Sequence, residues 1–292
     1  MEDNTGIKYV YLIGDPVEHS ISPQMHNAAY KELGINYEYK LMKTAAADLK
    51  NTAERMRAPE IAGFNVTVPH KEKIMEYLDY IDDSALIIGA VNTVKNENGK
   101  LKGYNTDSIG FIESLTRDAG FDPKGKRTLL IGAGGGAKAV AVALCKEEVS
   151  EIAIKDIDTE KASAMAESLQ KHFNNRIFTL SDEHAAKQFL INCDCIINAT
   201  PIGMYPKIDA SPLKKDAPLR EGQIIYDLVY NPAQTKLAKM AAEKGAKAYT
   251  GLGMLVRQGA AGFELFTEQI PPIKTMWHAA EEALGIDKTI LV

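Results

Sequence analysis

Residues 127–139, Arg-Thr-Leu-Leu-Ile-Gly-Ala-Gly-Gly-Gly-Ala-Lys-Ala, leave the chain few choices of local structure. Thr128 to Ile131 is a short apolar run that reads as a buried strand. It breaks at Gly132, Gly134, Gly135 and Gly136, then resumes as Ala-Lys-Ala-Val-Ala-Val-Ala-Leu, which favours helix. A glycine turn between strand and helix lets the backbone approach a pyrophosphate, whose charge the helix N-terminus favours. The spacing Gly132-Ala133-Gly134-x-x-Ala137 fits the dinucleotide fingerprint with its permitted final Ala. On its own, such a glycine turn can also be no more than a tight turn.

The next stretch supports the fingerprint. Glu151-Ile-Ala-Ile154 is a second apolar strand, and it ends in Lys155-Asp156-Ile157-Asp158. A carboxylate about twenty residues past the glycines is where an acidic side chain meets ribose hydroxyls. Asp156 and Asp158 are the candidates, although Asp158 before Thr159 also suits a helix cap. Strands are expected at 127–131, 151–155, 176–180, 194–198, 223–227 and 246–250, with helices between most of them. That alternation predicts an α/β, doubly wound parallel sheet with helices on both faces. Ligands of such sheets bind outside the carboxyl ends of the strands. Thr200, Gly203 and Met204 after the fourth strand, Leu228 after the fifth, and Gly251 and Met254 after the sixth are therefore expected at the cofactor.

Composition narrows the partners. At 292 residues, 45% of them hydrophobic, the chain is long enough for two domains. A net charge of −5 and no basic cluster give no electrostatic reason to expect nucleic acid. Cys145, Cys193 and Cys195 imply no disulfide framework and fit a reducing compartment. Cys193-x-Cys195 runs into an apolar strand with no histidine nearby in sequence, so packed thiols are expected and no metal. The start is polar and no apolar run reaches spanning length, so the expectation is a cytoplasmic protein without a membrane segment.

The N-terminal half places polar residues at the ends of its expected elements. A strand at 9–13 leads to His19-Ser20-Ile-Ser22-Pro23. Ser22 before Pro23 suits a helix start, N-cap then first turn, while Ser20 has no such structural reason. A strand at 37–41 and a helix at 47–56 precede Gly63-Phe-Asn65-Val-Thr67-Val-Pro69-His-Lys71. Alternation puts Asn65 and Thr67 on one face. Pro69 is expected to open a helix with Lys71 in its first turn, where a cation opposes the macrodipole and so serves something other than helix stability. Ala90-Val-Asn92-Thr-Val94 is a further strand, Asn98-Gly99 a hairpin turn, and Asp107 stands before a helix at 108–118. Asp107 is also a plausible N-cap there. The last helices, after residue 251, are expected to pack back on the N-terminal part.

Taken together, His19-Ser20-Ile-Ser22-Pro23, Gly63 to Lys71, Gly89-Ala-Val-Asn92-Thr, Gly103-Tyr-Asn-Thr-Asp107, Gly132-Ala-Gly-Gly135, Asn198-Ala-Thr-Pro, Tyr230-Asn-Pro and Gly253-Met254-Leu with Gln258-Gly259 resemble the shikimate dehydrogenase family. The matches run from about residue 9 to 266 in family order. The resemblance implies reversible hydride transfer between a nicotinamide cofactor and C3 of shikimate or quinate. It implies a discontinuous substrate domain, residues 1–107 and 251–292, around a Rossmann dinucleotide domain at 108–250. By the same resemblance Ser20, Ser22 and Tyr230 hold the substrate carboxylate. Thr67, Asn92, Asp107 and Gln258 contact ring hydroxyls with Asn65 in support, and Lys71 and Asp107 form the catalytic pair. A homodimer is the family-level expectation.

The residues agree with that chemistry, since oxidising an alcohol needs a proton acceptor beside the hydroxyl while hydride leaves. Members that use NADP typically carry Asn-Arg-Thr after the second nucleotide-domain strand, the Arg meeting the 2′-phosphate. Here the place reads Asp156-Ile157-Asp158, and two carboxylates repel a phosphate dianion. Gly136 and Lys138 replace residues that supply another phosphate ligand. The expectation is therefore NAD, as in the quinate/shikimate branch, with NADP the alternative because Lys155 and Lys161 stand close by in sequence. An NADP-dependent biosynthetic enzyme and a non-catalytic sensor of shikimate-like ligands are the competing readings. Initial rates with either substrate and either cofactor separate all three.

Overall fold

The structure is a computed structural model that describes residues 6–180 and 182–286. The polar start at residues 1–5 lies outside the described residues. The chain divides into two compact units, residues 1–110 with 256–292, and residues 111–255. The expected boundaries, 107/108 and 250/251, fall a few residues earlier, because helices run across both junctions.

The first unit opens with β1 (Lys8–Gly14), α1 (Ser22–Leu33), β2 (Tyr37–Lys43), α2 (Leu49–Arg55) and β3 (Ile61–Val66). After β4 (Tyr80–Ile81) and α3 (Asp83–Ile88), β5 (Thr93–Glu97) and β6 (Lys100–Tyr104) form the hairpin, and α4 (Thr106–Glu113) follows. The sheet order is β2-β1-β3-β5-β6-β4. The β2-β1-β3 part is parallel, and β3-β5-β6 is antiparallel. Asn98 at φ 53° and Gly99 at φ 82° are both left-handed, as a two-residue hairpin turn requires. Ile13, Phe64, Val66, Val94 and Leu101 project from the sheet into one buried cluster with Leu49, Met56 and Ile74. Asn65, one residue from Phe64 and so on the opposite face, pairs Leu12 on one side and Thr93 on the other.

Three local expectations need correction. No helix begins at Pro69. His70 N–H bonds the Thr67 carbonyl in a turn, and the Lys71 carbonyl accepts from Val91 N–H at 2.8 Å, so it is unavailable to a helical ladder. A 3-10 segment at Lys73–Tyr77 takes the place of the helix. Ser22 is not an N-cap. That position belongs to Ile21, with no side-chain cap, and Ser22 is the first helical residue with Pro23 behind it. β3 ends at Val66, so the alternation that paired Asn65 with Thr67 stops one residue short.

The second unit alternates as expected: β7 (Arg127–Ile131), α5 (Gly135–Lys146), β8 (Glu151–Lys155), α6 (Thr159–Gln170), β9 (Arg176–Thr179), α7 (Glu183–Asn192), β10 (Cys195–Asn198), β11 (Ile224–Asp227), α8 (Lys236–Glu243) and β12 (Lys247–Thr250). The order β12-β11-β10-β7-β8-β9 is parallel throughout, and the chain adds strands outward on one side from β7 to β9 and on the other from β10 to β12, so the strand order switches between β7 and β10. β7, β8, β10 and β11 are buried along nearly their whole length, as apolar runs covered on both faces are. Cys145, Cys193 and Cys195 are buried free thiols, and burial pushes the first two up to about 12. α9 (Leu252–Thr267) crosses back into the first unit, where α10 (Ile273–Ala283) packs on α1. No described helix is long and apolar enough to cross a membrane.

Candidate active site

In the first unit the expected substrate residues collect where strands end. Gly14 closes β1, Val66 closes β3, and Tyr104 closes β6. A Cβ on Gly14 would collide with the Thr67 methyl, so glycine lets Thr67 lie flat over the end of β1. Lys71 Nζ donates to Asp107 Oδ2 at 2.6 Å, with side chains 30% and 15% exposed. Asp107 is in the first turn of α4 and not its cap. Asn105 Oδ1 accepts the Asp107 N–H, which leaves the Asp107 carboxylate for side chains.

Asn92 supports that carboxylate from the other side, donating from Nδ2 to Asp107 Oδ1 at 2.8 Å. Asn92 Oδ1 accepts from the Thr106 N–H at 2.7 Å and from Thr93 Oγ1 at 3.0 Å. Asn65 Nδ2 donates to Thr93 Oγ1 at 2.8 Å, and Asn65 Oδ1 accepts from the Tyr39 hydroxyl at 2.7 Å. Burial pushes the Tyr39 phenol well above its usual range, and a hydrogen bond with Ser22 opposes that. Ser22, Asn65, Asn92, Asp107 and Lys71 are therefore linked by one run of hydrogen bonds. Gln258 touches it through a long contact, Thr106 Oγ1 to Oε1 at 3.5 Å. Ser20 also has a structural occupation, because its Oγ accepts the Ser22 N–H and donates to Ser22 Oγ.

Tyr39, Thr93, Asn105 and Thr106 were not among the sequence candidates. Tyr39 was readable as an inward position of its strand. Thr93 and Thr106 adjoin candidates but carry no chemistry of their own that would single them out.

In the second unit, Gly132 at φ +111° passes beside the Ala199 carbonyl, which a Cβ would approach to 3.0 Å. Gly134 is the N-cap of α5 with no side-chain cap, and added Cβ atoms at Gly134 and Gly135 would enter open space. The open space beside these glycines, at the N-terminus of α5, leaves room for a pyrophosphate to approach the first N–H groups of the helix. Ala133 N–H donates to Asp156 Oδ2 at 2.7 Å, so this carboxylate braces the loop. Asp158 caps α6 through Lys161 N–H, the structural role weighed for it, and Ile157 between them is fully exposed. Thr200 bonds Asn198 Oδ1 through both N–H and hydroxyl. Asn198 in turn donates to Asp227, which burial raises and which also accepts from Thr235 and from Val229 N–H. Gly203 is left-handed at φ +94°, and Met204 is exposed. Gly251 passes against the Leu228 carbonyl with no room for a side chain, and Met254 and Tyr230 are half-buried.

Family models match three stretches: the shikimate dehydrogenase substrate binding domain at 12–94, shikimate/quinate 5-dehydrogenase at 114–227, and the shikimate 5′-dehydrogenase C-terminal domain at 251–281. A shikimate dehydrogenase (NADP(+)) from Methanocaldococcus jannaschii is 46% identical over 276 residues, spanning 94% of this chain and 97% of the relative. The chain belongs to the shikimate dehydrogenase family. It is an oxidoreductase, which sets aside the non-catalytic sensor. A solved shikimate dehydrogenase in complex with NADP+ superposes with a TM-score of 0.89 at 44% identity, covering 96% of this chain and 97% of that one. Shikimate 5-dehydrogenase from Listeria monocytogenes, solved with shikimate and NAD, gives 0.88 at 33% identity, covering 94% and 97%.

Proposed function

We propose that this chain catalyses the reversible NADP-dependent oxidation of the C3 hydroxyl of shikimate to 3-dehydroshikimate, the biosynthetic reading. The observation that carries the chemistry is Lys71 bonded to Asp107, with Asn92 holding the second carboxylate oxygen. A bound nicotinamide would take the hydride from C3, and the Lys71–Asp107 pair would take the hydroxyl proton and, in the reverse direction, return it to the carbonyl oxygen. Ser20, Ser22 and Tyr230 would hold the carboxylate. Asn65, Thr67, Asn92 and Gln258 would pair the ring hydroxyls, so that analogues lacking one leave a polar group unpaired. The first unit takes the substrate role and the second the cofactor role, with Gly132 to Ala137 at the pyrophosphate and Thr200, Gly203, Met204, Leu228, Gly251 and Met254 around it. The names of curated relatives at 40–46% identity support NADP and shikimate over the NAD and quinate expectation. A cytoplasmic location goes with this reading.

A second reading keeps the reaction and exchanges the cofactor for NAD. The observation that favours it is local: fully exposed Ile157 stands between Asp156 and Asp158, where an arginine would meet a 2′-phosphate. Initial rates with shikimate and quinate, each with NAD and NADP, decide between them. A preference for shikimate with NADP supports the first reading, and a strong NAD preference replaces its cofactor. Absence of turnover with all four combinations removes both.

A further inference from the structure

We propose that Thr93 is a positioning residue that holds Asp107 against Lys71 through the side chain of Asn92. The inference rests on the dehydrogenase reading above, since it takes Lys71 and Asp107 as the pair that handles the proton.

Two main-chain groups settle which way the amides face. The Thr106 N–H can only donate, so the oxygen of Asn92 is turned to it and Nδ2 is left for Asp107. The Asn92 carbonyl can only accept, so Nδ2 of Asn65 is turned to it at 3.2 Å, and the oxygen of Asn65 meets the Tyr39 hydroxyl. The two amides meet at one atom, Thr93 Oγ1. It accepts from Asn65 Nδ2 at 2.8 Å and lies 3.0 Å from Asn92 Oδ1, with Thr106 Oγ1 also at 3.0 Å. Thr93 is completely buried and stands in register between Asn65 and Tyr104.

A consistent set of donors follows. Tyr39 donates to Asn65, Asn65 to Thr93, Thr93 to Asn92, and Asn92 to Asp107, so every proton in the run points toward the carboxylate. The second N–H of Asn92 goes to Thr106 Oγ1 at 3.0 Å. Without the Thr93 hydroxyl, Asn65 Nδ2 and Asn92 Oδ1 each lose a buried partner. Apart from Asp107 itself, the Asn92 side chain is then held by Thr106 alone, next to Asp107 in the chain, and its bonded tie to β3 through Thr93 is gone. Buried amides left short of partners reorient, and the group that Asn92 was orienting moves with it.

The test is steady-state shikimate oxidation by the full chain carrying Thr93→Val, which keeps shape, and Thr93→Ser, which keeps the hydroxyl. Thr93→Val is expected to lower kcat about 20-fold with the cofactor KM unchanged, and Thr93→Ser to restore kcat to within about threefold. Deuterium at C3 of shikimate is expected to give a larger isotope effect on kcat in Thr93→Val. If valine and serine variants share the kcat and isotope effect of the unaltered chain and differ only in melting temperature, Thr93 is a packing residue and the proposal fails. Should Thr93→Val not fold, Thr93→Ala, which adds no atom, is read against Thr93→Ser by the same criteria. No turnover in the unaltered chain overturns the dehydrogenase reading and this inference with it, and full turnover in Lys71→Ala takes Lys71 out of the chemistry and overturns this inference while the dehydrogenase reading stands. Normal turnover in Thr93→Val overturns this inference alone.

Discussion

Lys71 and Asp107, 36 positions apart in sequence, meet at 2.6 Å because a turn after β3 and the first turn of α4 are both tied to the segment before β5. The Lys71 carbonyl accepts from Val91 N–H, and the Asp107 carboxylate accepts from Asn92 Nδ2. Neighbouring residues of one short segment thus set both partners.

Lys71→Ala removes the cation and leaves Asn92 on Asp107. Turnover of shikimate is expected to fall by about a thousandfold or more, the scale of a lost proton-transfer group. Binding of shikimate, measured by calorimetry, is expected to stay within about tenfold. Turnover near the starting value in this variant would remove Lys71 from the chemistry.

Ile157→Arg supplies a guanidinium at the fully exposed position between Asp156 and Asp158. A charge-assisted bond to a 2′-phosphate contributes about 1.5–3 kcal/mol, so kcat/KM for NADP relative to NAD is expected to rise at least about tenfold. An unchanged ratio would mean that the phosphate does not approach this loop.

His26 is buried and neutral, and burial lowers its pKa from 6.5 to about 3. As pH falls below 6.5 the unfolded chain takes a proton that the folded chain refuses. Stability present above 6.5 is therefore lost progressively toward about 3, at about 1.4 kcal/mol per pH unit. His26→Phe keeps a ring against Tyr39, whose centroid lies 4.4 Å away. Urea unfolding at pH 5, 6 and 7 is expected to show a decline from pH 7 to 5 that is smaller in His26→Phe by roughly 2 kcal/mol. Parallel declines in the two proteins would contradict this account.

Gly132→Ala forces a side chain into a left-handed residue beside the Ala199 carbonyl. The expected cost is about 1–3 kcal/mol of unfolding free energy, with weaker binding of either dinucleotide. A variant as stable as the parent would show that the loop relaxes freely.

The parallel sheet of the second unit was legible because its central strands, β7, β8, β10 and β11, are short apolar runs closed by turns, and burial on both faces leaves that signature. The Lys71 turn was not legible. His-Lys-Glu-Lys after a proline looks like a first helical turn, and only the distant Val91 N–H shows why it is not one. Asn65, Asn92, Lys71 and Asp107 stood out as polar or charged side chains within apolar runs or at strand ends. Thr93 and Tyr39 did not, because an inward position on a strand reads as core, and their part in the cluster depends on which groups of other strands face them. Asp158 was readable in two ways, and the structure gives it the cap of α6.

The Asn98-Gly99 turn sets the pairing of Glu97 with Lys100, and the ladder carries that choice down to Thr93 opposite Tyr104. A strand has a side-chain period of two, so a slip of one residue against β6 would set Val94 opposite Tyr104 and turn Thr93 toward the apolar cluster. The two residues at the tip of the hairpin therefore act as the gauge for the polar row at its base. A change in that turn is felt first as a change in which group reaches Asn65 and Asn92, and a surface loop acquires a say in the chemistry.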